Sequence, residues 1–158
     1  MGIREATHGD RDALLGIIDA TENLTEEEKD CAAELLQIYI DEVDQDDYLF
    51  LVACNEDSGE VEGFLCYGLA SLSSGVYDIY WIVVSPVKMM KGVGRSLVSE
   101  VERKASAVGI REIIIETSSL DSYKGSREFY GKLGFIEEAR VKDFFKVGDD
   151  KVFFIKNI

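Results

Sequence analysis

Histidine and cysteine are scarce in this sequence, and their scarcity excludes several kinds of active site. The single histidine, His8, lies in a polar turn, so a nucleophilic triad has few possible members and we interpret His8 as a solvated loop residue. The three cysteines, Cys31, Cys54 and Cys66, form no CxxC pair and have no histidine at metal-ligand spacing. They predict reduced thiols in the core, and no metal site is expected.

Basic residues and long apolar runs are also few. The chain has 17 Lys and Arg against 31 Asp and Glu, which gives a formal net charge of −14. Such a charge repels nucleic-acid backbones and anionic membranes, so neither is an expected partner. No apolar run approaches the roughly 18 residues of a membrane span, and the N-terminus MGIREATHGD has no apolar signal core. These absences predict a soluble, cytoplasmic protein.

Hydrophobic residues make up 46% of the 158 positions, enough for one globular domain over residues 1–158. Hydrophobic periodicity and turn residues predict an α/β fold with a mixed sheet of about seven strands and about four helices. The predicted strands are residues 3–6, 48–54, 61–70, 76–84, 111–116, 135–146 and 151–156, and the helices are residues 11–20, 25–43, 93–108 and 126–133.

Two of these helices carry apolar stripes that predict their buried faces. On the second helix, which a capping box at Thr25 and Glu28 begins, the stripe is Cys31, Leu35 and Ile38. On the third helix the stripe is Val93, Leu97, Val101, Ala105 and Val108. The strands on either side of the third helix are then expected to be parallel, as in a right-handed strand-helix-strand unit.

Residues 80–102, YWIVVSPVKMMKGVGRSLVSEVE, form a strand, a glycine-bearing turn and the start of a helix. Backbone N–H groups and the positive end of a helix dipole meet at such a junction, which predicts a phosphate-bearing ligand. A Walker A site needs Lys after its second Gly, but Arg95 follows Gly94. A dinucleotide site needs a third Gly where this chain has Leu97.

Two motifs resemble those of the GNAT superfamily of N-acetyltransferases. VSPVKMMKGVG, from Val84 to Gly94, resembles motif A, and FYGKLGF, from Phe129 to Phe135, resembles motif B. With the strands upstream, the resemblance covers nearly the whole chain and implies a GNAT-like acyl-CoA N-acyltransferase fold. It also implies an acetyl-CoA-dependent N-acetyltransferase that acts on a primary amine by direct attack in a ternary complex. No cysteine lies near either motif, which argues against an acetyl-cysteine intermediate.

The resemblance implies where acetyl-CoA binds. Turn amides hold the pyrophosphate, and the matching positions are Met90, Lys91, Gly92, Val93, Gly94 and Arg95. The backbone of Ile82, Val83 and Val84 pairs with the pantetheine arm where the fourth and fifth strands splay, and the Val84 N–H is the oxyanion donor. Met89 stands where the family usually has Gln or Arg, which predicts CoA affinity weaker by about 1 kcal/mol. Lys88, Lys91 and Arg95 are the candidate auxiliary cations.

The resemblance also implies the catalytic groups. Tyr130, in motif B, is expected to protonate the departing CoA thiolate. Because an alkylamine is almost wholly protonated at neutral pH, a base must remove its proton, and Asp78 and Glu116 are the two candidates. Met89 leaves open an alternative function, a catalytically silent CoA-binding regulatory or interaction domain.

The acceptor and the oligomeric state stay open. A cationic amine, such as a polyamine, an aminoglycoside, a protein lysine or a protein N-terminus, suits the acidic residues Glu22, Glu26, Asp41, Asp44 and Asp46. An amino-acid-like acceptor would instead suit an aromatic wall of Tyr67, Tyr77, Tyr80 and Trp81. The final hairpin offers an edge for a homodimer.

Overall fold

A computed structural model describes all 158 residues and contains seven strands and four α-helices. The strands are β1 (Gly2–Glu5), β2 (Leu49–Cys54), β3 (Val61–Leu69), β4 (Val76–Val84), β5 (Glu112–Ser118), β6 (Ile136–Lys146) and β7 (Asp149–Asn157). The helices are α1 (Arg11–Ala20), α2 (Glu26–Asp41), α3 (Val93–Ala107) and α4 (Lys124–Lys132). None of these helices has the length and apolarity that crossing a bilayer requires.

The strands form one mixed sheet in the order β1-β2-β3-β4-β5-β7-β6. Strand β4 pairs with β5 in parallel, through Val76–Ile79 and Glu112–Ile115. The pairs β1 with β2, β2 with β3, β5 with β7, and β6 with β7 are antiparallel. The predicted α/β class, the mixed sheet and the parallel strands on either side of α3 are therefore confirmed.

The chain divides into two compact units. The first consists of Met1–Gly68 and Tyr80–Lys104, and the second of Leu69–Ile79 and Ala105–Ile158. The single domain over residues 1–158 stays a prediction.

The core of the first unit forms between its helices and its strands. Helix α2 begins with the predicted capping box, in which the Thr25 N–H donates to Glu28 Oε2 at 2.8 Å and the Glu28 N–H donates to Thr25 Oγ1 at 3.2 Å. The buried side chains include Leu14, Ile17 and Ile18 from α1, Ala32, Leu36 and Ile40 from α2, and Phe50, Val52 and Phe64 from the strands.

The predicted buried stripe of α2 was wrong at Cys31, while Leu35 and Ile38 are half-buried beside the fully buried face. The helix buries Ala32, Leu36 and Ile40, whereas Cys31 is exposed. A one-residue shift rotates a helix by about 100°, and apolar side chains occur on both of these faces, so periodicity alone did not separate them. Cys31 is therefore not a core thiol, while the predicted burial of Cys54 and Cys66 is confirmed.

The predicted stripe of α3 holds except at its last member. Val93, Leu97, Val101 and Ala105 are buried, but Val108 is 66% exposed. The helix ends at Ala107, and Gly109 adopts a φ of 77° just beyond it. The Ile110 N–H then donates to the Ala105 carbonyl at 3.0 Å, which closes the helix before Val108 can join its buried face.

A short 3-10 helix, His8–Asp10, connects β1 to α1. Asp10 is buried and accepts hydrogen bonds from the Thr7 N–H at 2.7 Å and from the Arg4 guanidinium at 2.7 Å. The hydrogen bond from Arg4 is the main reason that the pKa of Asp10 falls to about 2. His8 is exposed on this turn, as predicted.

Candidate active site

The turn between β4 and α3 reverses the chain through two left-handed residues. Pro86–Lys88 form one turn of 3-10 helix, after which Met90 adopts a φ of 63° and Gly92 a φ of 84°. A left-handed conformation costs a residue with a Cβ about 1–2 kcal/mol, so Met90 is a strained position. Its side chain is 96% exposed, so packing within the chain does not account for the strain.

Helix α3 begins directly after this turn and leaves N–H groups without helical partners. Its first internal hydrogen bond runs from the Ser96 N–H to the Gly92 carbonyl at 3.0 Å, so the N–H groups before Ser96 have no acceptor in the helix. The helix dipole adds a partial positive charge at the same place. The predicted positions Val93, Gly94 and Arg95 lie in this first turn, and together with the preceding turn they are suited to hold an anion.

The side chains of the turn are mostly turned to solvent. Met89, Lys91 and Gly92 are exposed, and a Cβ at Gly92 would meet no atom within 4 Å. The glycine therefore serves the positive φ rather than making room inside the chain. Lys88 differs from its neighbours, because its Nζ lies 2.7 Å from Glu62 and 3.4 Å from Glu60. Its charge is thus already paired with two carboxylates. Lys91 and Arg95 are exposed.

The end of β4 packs tightly against β3. Val83 is buried in the core of the first unit, while Ile82 and Val84 are half-buried. A Cβ at Gly63 would lie 2.9 Å from the Val83 carbonyl oxygen and 3.0 Å from Cγ1 of Val93. Gly63 therefore allows the end of β4 and the start of α3 to approach β3. We did not select this residue from the sequence, although a glycine inside a strand pattern is a signal of close backbone approach.

In the second unit, the two candidate bases lie on one face of the sheet. Asp78 is opposite Ile114 in the parallel register, and Glu116 follows two residues later on β5, so both side chains point the same way. Asp78 is half-buried, and burial together with the charge of Glu116 raises its pKa to about 6, against the opposing effect of Lys151. A carboxyl group with such a pKa can act as a general base near neutral pH.

Glu116 has a partner that sequence reasoning missed. Lys151 Nζ lies 2.5 Å from Glu116 Oε2, 4.4 Å from the centre of the Phe144 ring and 5.5 Å from that of Phe153. The antiparallel register sets Glu116 opposite Phe153 and Ser118 opposite Lys151, which keeps these side chains on the face that carries Asp78. Lys151 belongs to no motif. Only the alternation of side chains along β7 indicated which face of the sheet it would occupy.

Tyr130 packs on the other face of this part of the sheet. Its ring lies 5.7 Å from Phe154 and 6.4 Å from Phe135, and Phe154 is opposite Ile115, so it points away from the face of Glu116. Loss of solvent raises the pKa of Tyr130 to about 12, so the phenol keeps its proton at neutral pH and can only donate it or share it in a hydrogen bond. The structure thus brings Asp78 and Glu116 together and places Tyr130 on the opposite face.

Contacts at the start of α4 fix the helix that carries Tyr130. Arg127 donates to the carbonyl oxygens of Ser118 at 2.7 Å and Leu120 at 2.8 Å, which ties the helix to the segment that follows β5. Later in the motif B segment, Leu133 and Phe135 are buried on either side of Gly134, which has a φ of 90°. Leu133, Gly134 and Phe135 thus stabilise the end of α4 and the core, and they take no part in the proposed reaction. No group of three or more His, Cys, Asp or Glu side chains is arranged to hold a metal ion.

Comparisons with known proteins give a family and several structural relatives. The model of the acetyltransferase (GNAT) family matches residues 17–135. No curated protein sequence matches the chain. A GNAT-family acetyltransferase structure from Desulfovibrio desulfuricans is 32% identical, with a TM-score of 0.92 over 99% of this chain and 98% of that one.

Two more distant structures share the fold. An aminoglycoside 6′-N-acetyltransferase in complex with coenzyme A is 16% identical, with a TM-score of 0.75 over 99% of this chain and 97% of that one. A ribosomal-protein-alanine N-acetyltransferase from Brucella melitensis is 23% identical, with a TM-score of 0.75 and complete coverage, 100%, of both chains.

Proposed function

Because the chain belongs to the GNAT family of acetyltransferases, we propose that it transfers an acetyl group from acetyl-CoA to a primary amine by direct attack in a ternary complex. The observation that carries this proposal is the turn at Met90 and Gly92, which leads into the start of α3, where the N–H groups of Val93 and Gly94 have no acceptor within the helix. A turn of this kind suits the pyrophosphate of CoA. The CoA complex of the distant aminoglycoside acetyltransferase supports the same co-substrate.

The proposed CoA site uses backbone atoms more than side chains. The pyrophosphate would bind the amides of Met90, Lys91, Gly92, Val93, Gly94 and Arg95, next to an exposed Met89 that supplies no charge. Lys91 and Arg95 would add positive charge, whereas the ion pairs of Lys88 with Glu60 and Glu62 argue against a role for Lys88. The pantetheine arm would follow the backbone of Ile82, Val83 and Val84.

The proposed reaction moves two protons and exchanges one bond for another. The acceptor ammonium loses a proton to a carboxylate, Asp78 or Glu116, and the neutral nitrogen attacks the thioester carbonyl carbon. The backbone N–H of Val84 would stabilise the oxyanion. The new C–N bond then replaces the C–S bond, and the departing thiolate takes a proton from Tyr130, which in turn takes up the second proton of the acylated nitrogen to leave a neutral amide. Since a thiol of pKa about 8.5 leaves readily, the help from Tyr130 is expected to be modest.

The test follows free CoA thiol while the purified protein is incubated with acetyl-CoA and each of four amines. Kanamycin and a peptide that begins with alanine represent the acceptor classes of the two distant relatives, an aminoglycoside and a protein alanine. Spermidine represents the polyamines, and glycinamide an amino-acid-like acceptor. We expect thiol release with at least one amine and an acetylated product by mass spectrometry. CoA binding by calorimetry without thiol release from any amine would instead support a silent CoA-binding domain, which the exposed Met89 favours.

We also propose that the protein works in the cytoplasm as one domain spanning residues 1–158, and that β6 offers an edge for a homodimer. In support of the dimer edge, β6 is the last strand of the sheet and all 11 of its residues are exposed, including Ile136 and Phe144. Light scattering at several protein concentrations would detect the dimer. A monomer at every concentration would exclude it.

A further inference from the structure

We propose that Lys151 is a positioning residue: it holds Glu116 in an ion pair and thereby leaves Asp78 as the carboxylate that accepts the proton of the acceptor amine. This division of roles rests on the acetyl transfer proposed above. It separates two carboxylates that the sequence offered as alternatives, and it gives a function to a lysine that no motif marks.

The ammonium of Lys151 is held from several sides. Its Nζ lies 2.5 Å from Glu116 Oε2 and 4.4 Å from the centre of the Phe144 ring, with the Phe153 ring at 5.5 Å. The Lys151 side chain is 18% exposed and that of Glu116 36%, so water is largely kept from the ammonium but reaches the carboxylate. An aromatic ring attracts a cation through its π face, which adds to the pull of the carboxylate.

The ion pair engages the carboxylate of Glu116 directly. To take a proton from the amine, Glu116 would have to give up its charge-assisted contact with Lys151, and the ammonium would then lose its counter-ion. Glu116 is thus committed to Lys151, and its charge also acts on Asp78.

Asp78 has no ion pair of its own. The charged groups that face it are Glu116 from β5 and Lys151 from β7. Burial and the charge of Glu116 disfavour the Asp78 carboxylate, while Lys151 acts in the opposite sense. The result is a pKa of about 6, which leaves Asp78 ionised at neutral pH and yet more basic than an exposed aspartate.

The proton of the acceptor ammonium is transferred to Asp78. An N–H bond of the acceptor ammonium breaks and an O–H bond forms on Asp78 by way of a chain of waters, while the electron pair stays on nitrogen. After the C–N bond has formed, the nitrogen passes its second proton to Tyr130 as described above, and Asp78 returns its own proton to solvent. Lys151 and Glu116 stay paired throughout.

The first test measures the pKa of Asp78 by carbon-detected NMR of its carboxyl group in the full-length protein without ligands. Lys151→Met should raise this pKa above about 6, and Glu116→Gln should lower it below that value, because each removes one of the two facing charges. Lys151→Arg should preserve the wild-type value. Lys146→Met is the matched control, since Lys146 is an exposed lysine on β6, and it should leave Asp78 unchanged. An Asp78 titration that Lys151→Met does not move would overturn the role of Lys151.

The second test follows thiol release with the four amines named above, as a pH profile of kcat/KM. We expect Asp78→Asn to reduce the rate about 100-fold or more, the usual loss for a missing general base. Glu116→Gln should reduce it by less than about tenfold and move the acid limb to lower pH, whereas Lys151→Met should move that limb to higher pH. The larger loss in Glu116→Gln, with activity kept in Asp78→Asn, would reverse the assignment.

The two tests separate this division of roles from the proposed function. Failure of the proposed function appears as no thiol release by the wild-type protein with any of the amines. Failure of the division of roles appears in the titration, which needs neither acetyl-CoA nor an acceptor.

Discussion

Asp78 carries a stability penalty that follows from its burial and from the charge of Glu116 beside it. Its pKa is about 6 in the folded protein, whereas an aspartate in an unfolded chain has a pKa of about 4. The folded state therefore binds this proton more tightly than the unfolded state does. The resulting stabilisation is fully present below about pH 4 and is lost as the pH rises through about 6. At neutral pH the charged form weakens the fold.

We therefore predict that Asp78→Asn stabilises the protein at pH 7 while it reduces the rate of acetyl transfer about 100-fold or more. The expected gain in the free energy of unfolding is about 1–2 kcal/mol, less than the full pKa difference implies because Asp78 is only half-buried. Urea denaturation at pH 7 and near pH 4 would measure it, and the gain should shrink at the lower pH. A destabilised variant at pH 7 would show that the carboxylate makes favourable contacts that outweigh its burial.

Met89 is the second residue whose side chain has a predicted effect, in this case on the affinity for CoA. It occupies the place of a usual Gln or Arg in motif A, and its side chain is 59% exposed, so a longer side chain meets no steric barrier. We predict that Met89→Arg strengthens CoA binding by about 1 kcal/mol, or roughly fivefold in Kd, through one charge-assisted hydrogen bond.

Isothermal titration with CoA measures this gain, and Val87→Arg is the matched control. Val87 is 73% exposed in the same turn, so Val87→Arg adds the same charge away from the motif position. Equal gains in both variants would mean that general charge, and not a specific contact, strengthens binding. No gain in either would mean that the side chain at position 89 does not reach the ligand.

At the scale of the elements, the close packing of β3, the end of β4 and the start of α3 depends on Gly63. These three elements form the support of the proposed CoA turn. Because a Cβ here would lie 2.9 Å from a backbone oxygen, the backbone of β4 would have to move to accept it. Contacts this short are not relieved by turning a flexible side chain.

We predict that Gly63→Ala destabilises the protein by about 1–3 kcal/mol and weakens CoA binding. Gly16→Ala provides the matched control, because Gly16 is an exposed glycine inside α1 where a Cβ would meet no atom within 4 Å. That variant should stabilise the helix by about 1 kcal/mol and leave CoA binding unchanged. Thermal denaturation and calorimetry measure both quantities. A Gly63→Ala protein as stable as the wild type would show that β4 adapts without strain.

The elements also show where sequence patterns are ambiguous. Helix α2 has apolar side chains on two adjacent faces, and only its packing against the strands selected Ala32, Leu36 and Ile40. The last residue of a stripe is a second weak point, as Val108 shows, because helix closure at Gly109 decides whether the stripe continues. Strand β4, by contrast, has the predicted bounds, since Gly75 and Ser85 limit a run of β-branched and aromatic residues.

At the scale of the whole molecule, the sequence was sufficient for the order of elements along the chain and for the parallel strands around α3, but not for the pairing of charges. The order of strands and helices, and the parallel pairing around α3, follow from local periodicity and the handedness of strand-helix-strand units. The contact between Glu116 and Lys151 depends on the register of β5 with β7, which no local pattern determines. Asp78 and Glu116 could be selected as candidate bases, but their unequal surroundings became visible only when Lys151 was placed beside one of them.

The net charge of −14 allows a prediction that concerns the molecule as a whole. Like charges on a compact protein repel one another and destabilise the folded state, and salt screens this repulsion over a Debye length of about 10 Å at 0.1 M. We therefore predict that the Tm at pH 7 rises by a few degrees between about 0.01 M and 0.3 M sodium chloride. The rise should shrink near pH 5, because the net charge falls as the pH approaches the isoelectric point of about 4.4. Scanning calorimetry at both pH values measures it. A Tm that falls with salt at pH 7 would mean that ion pairs such as Lys88 with Glu62 outweigh the net repulsion.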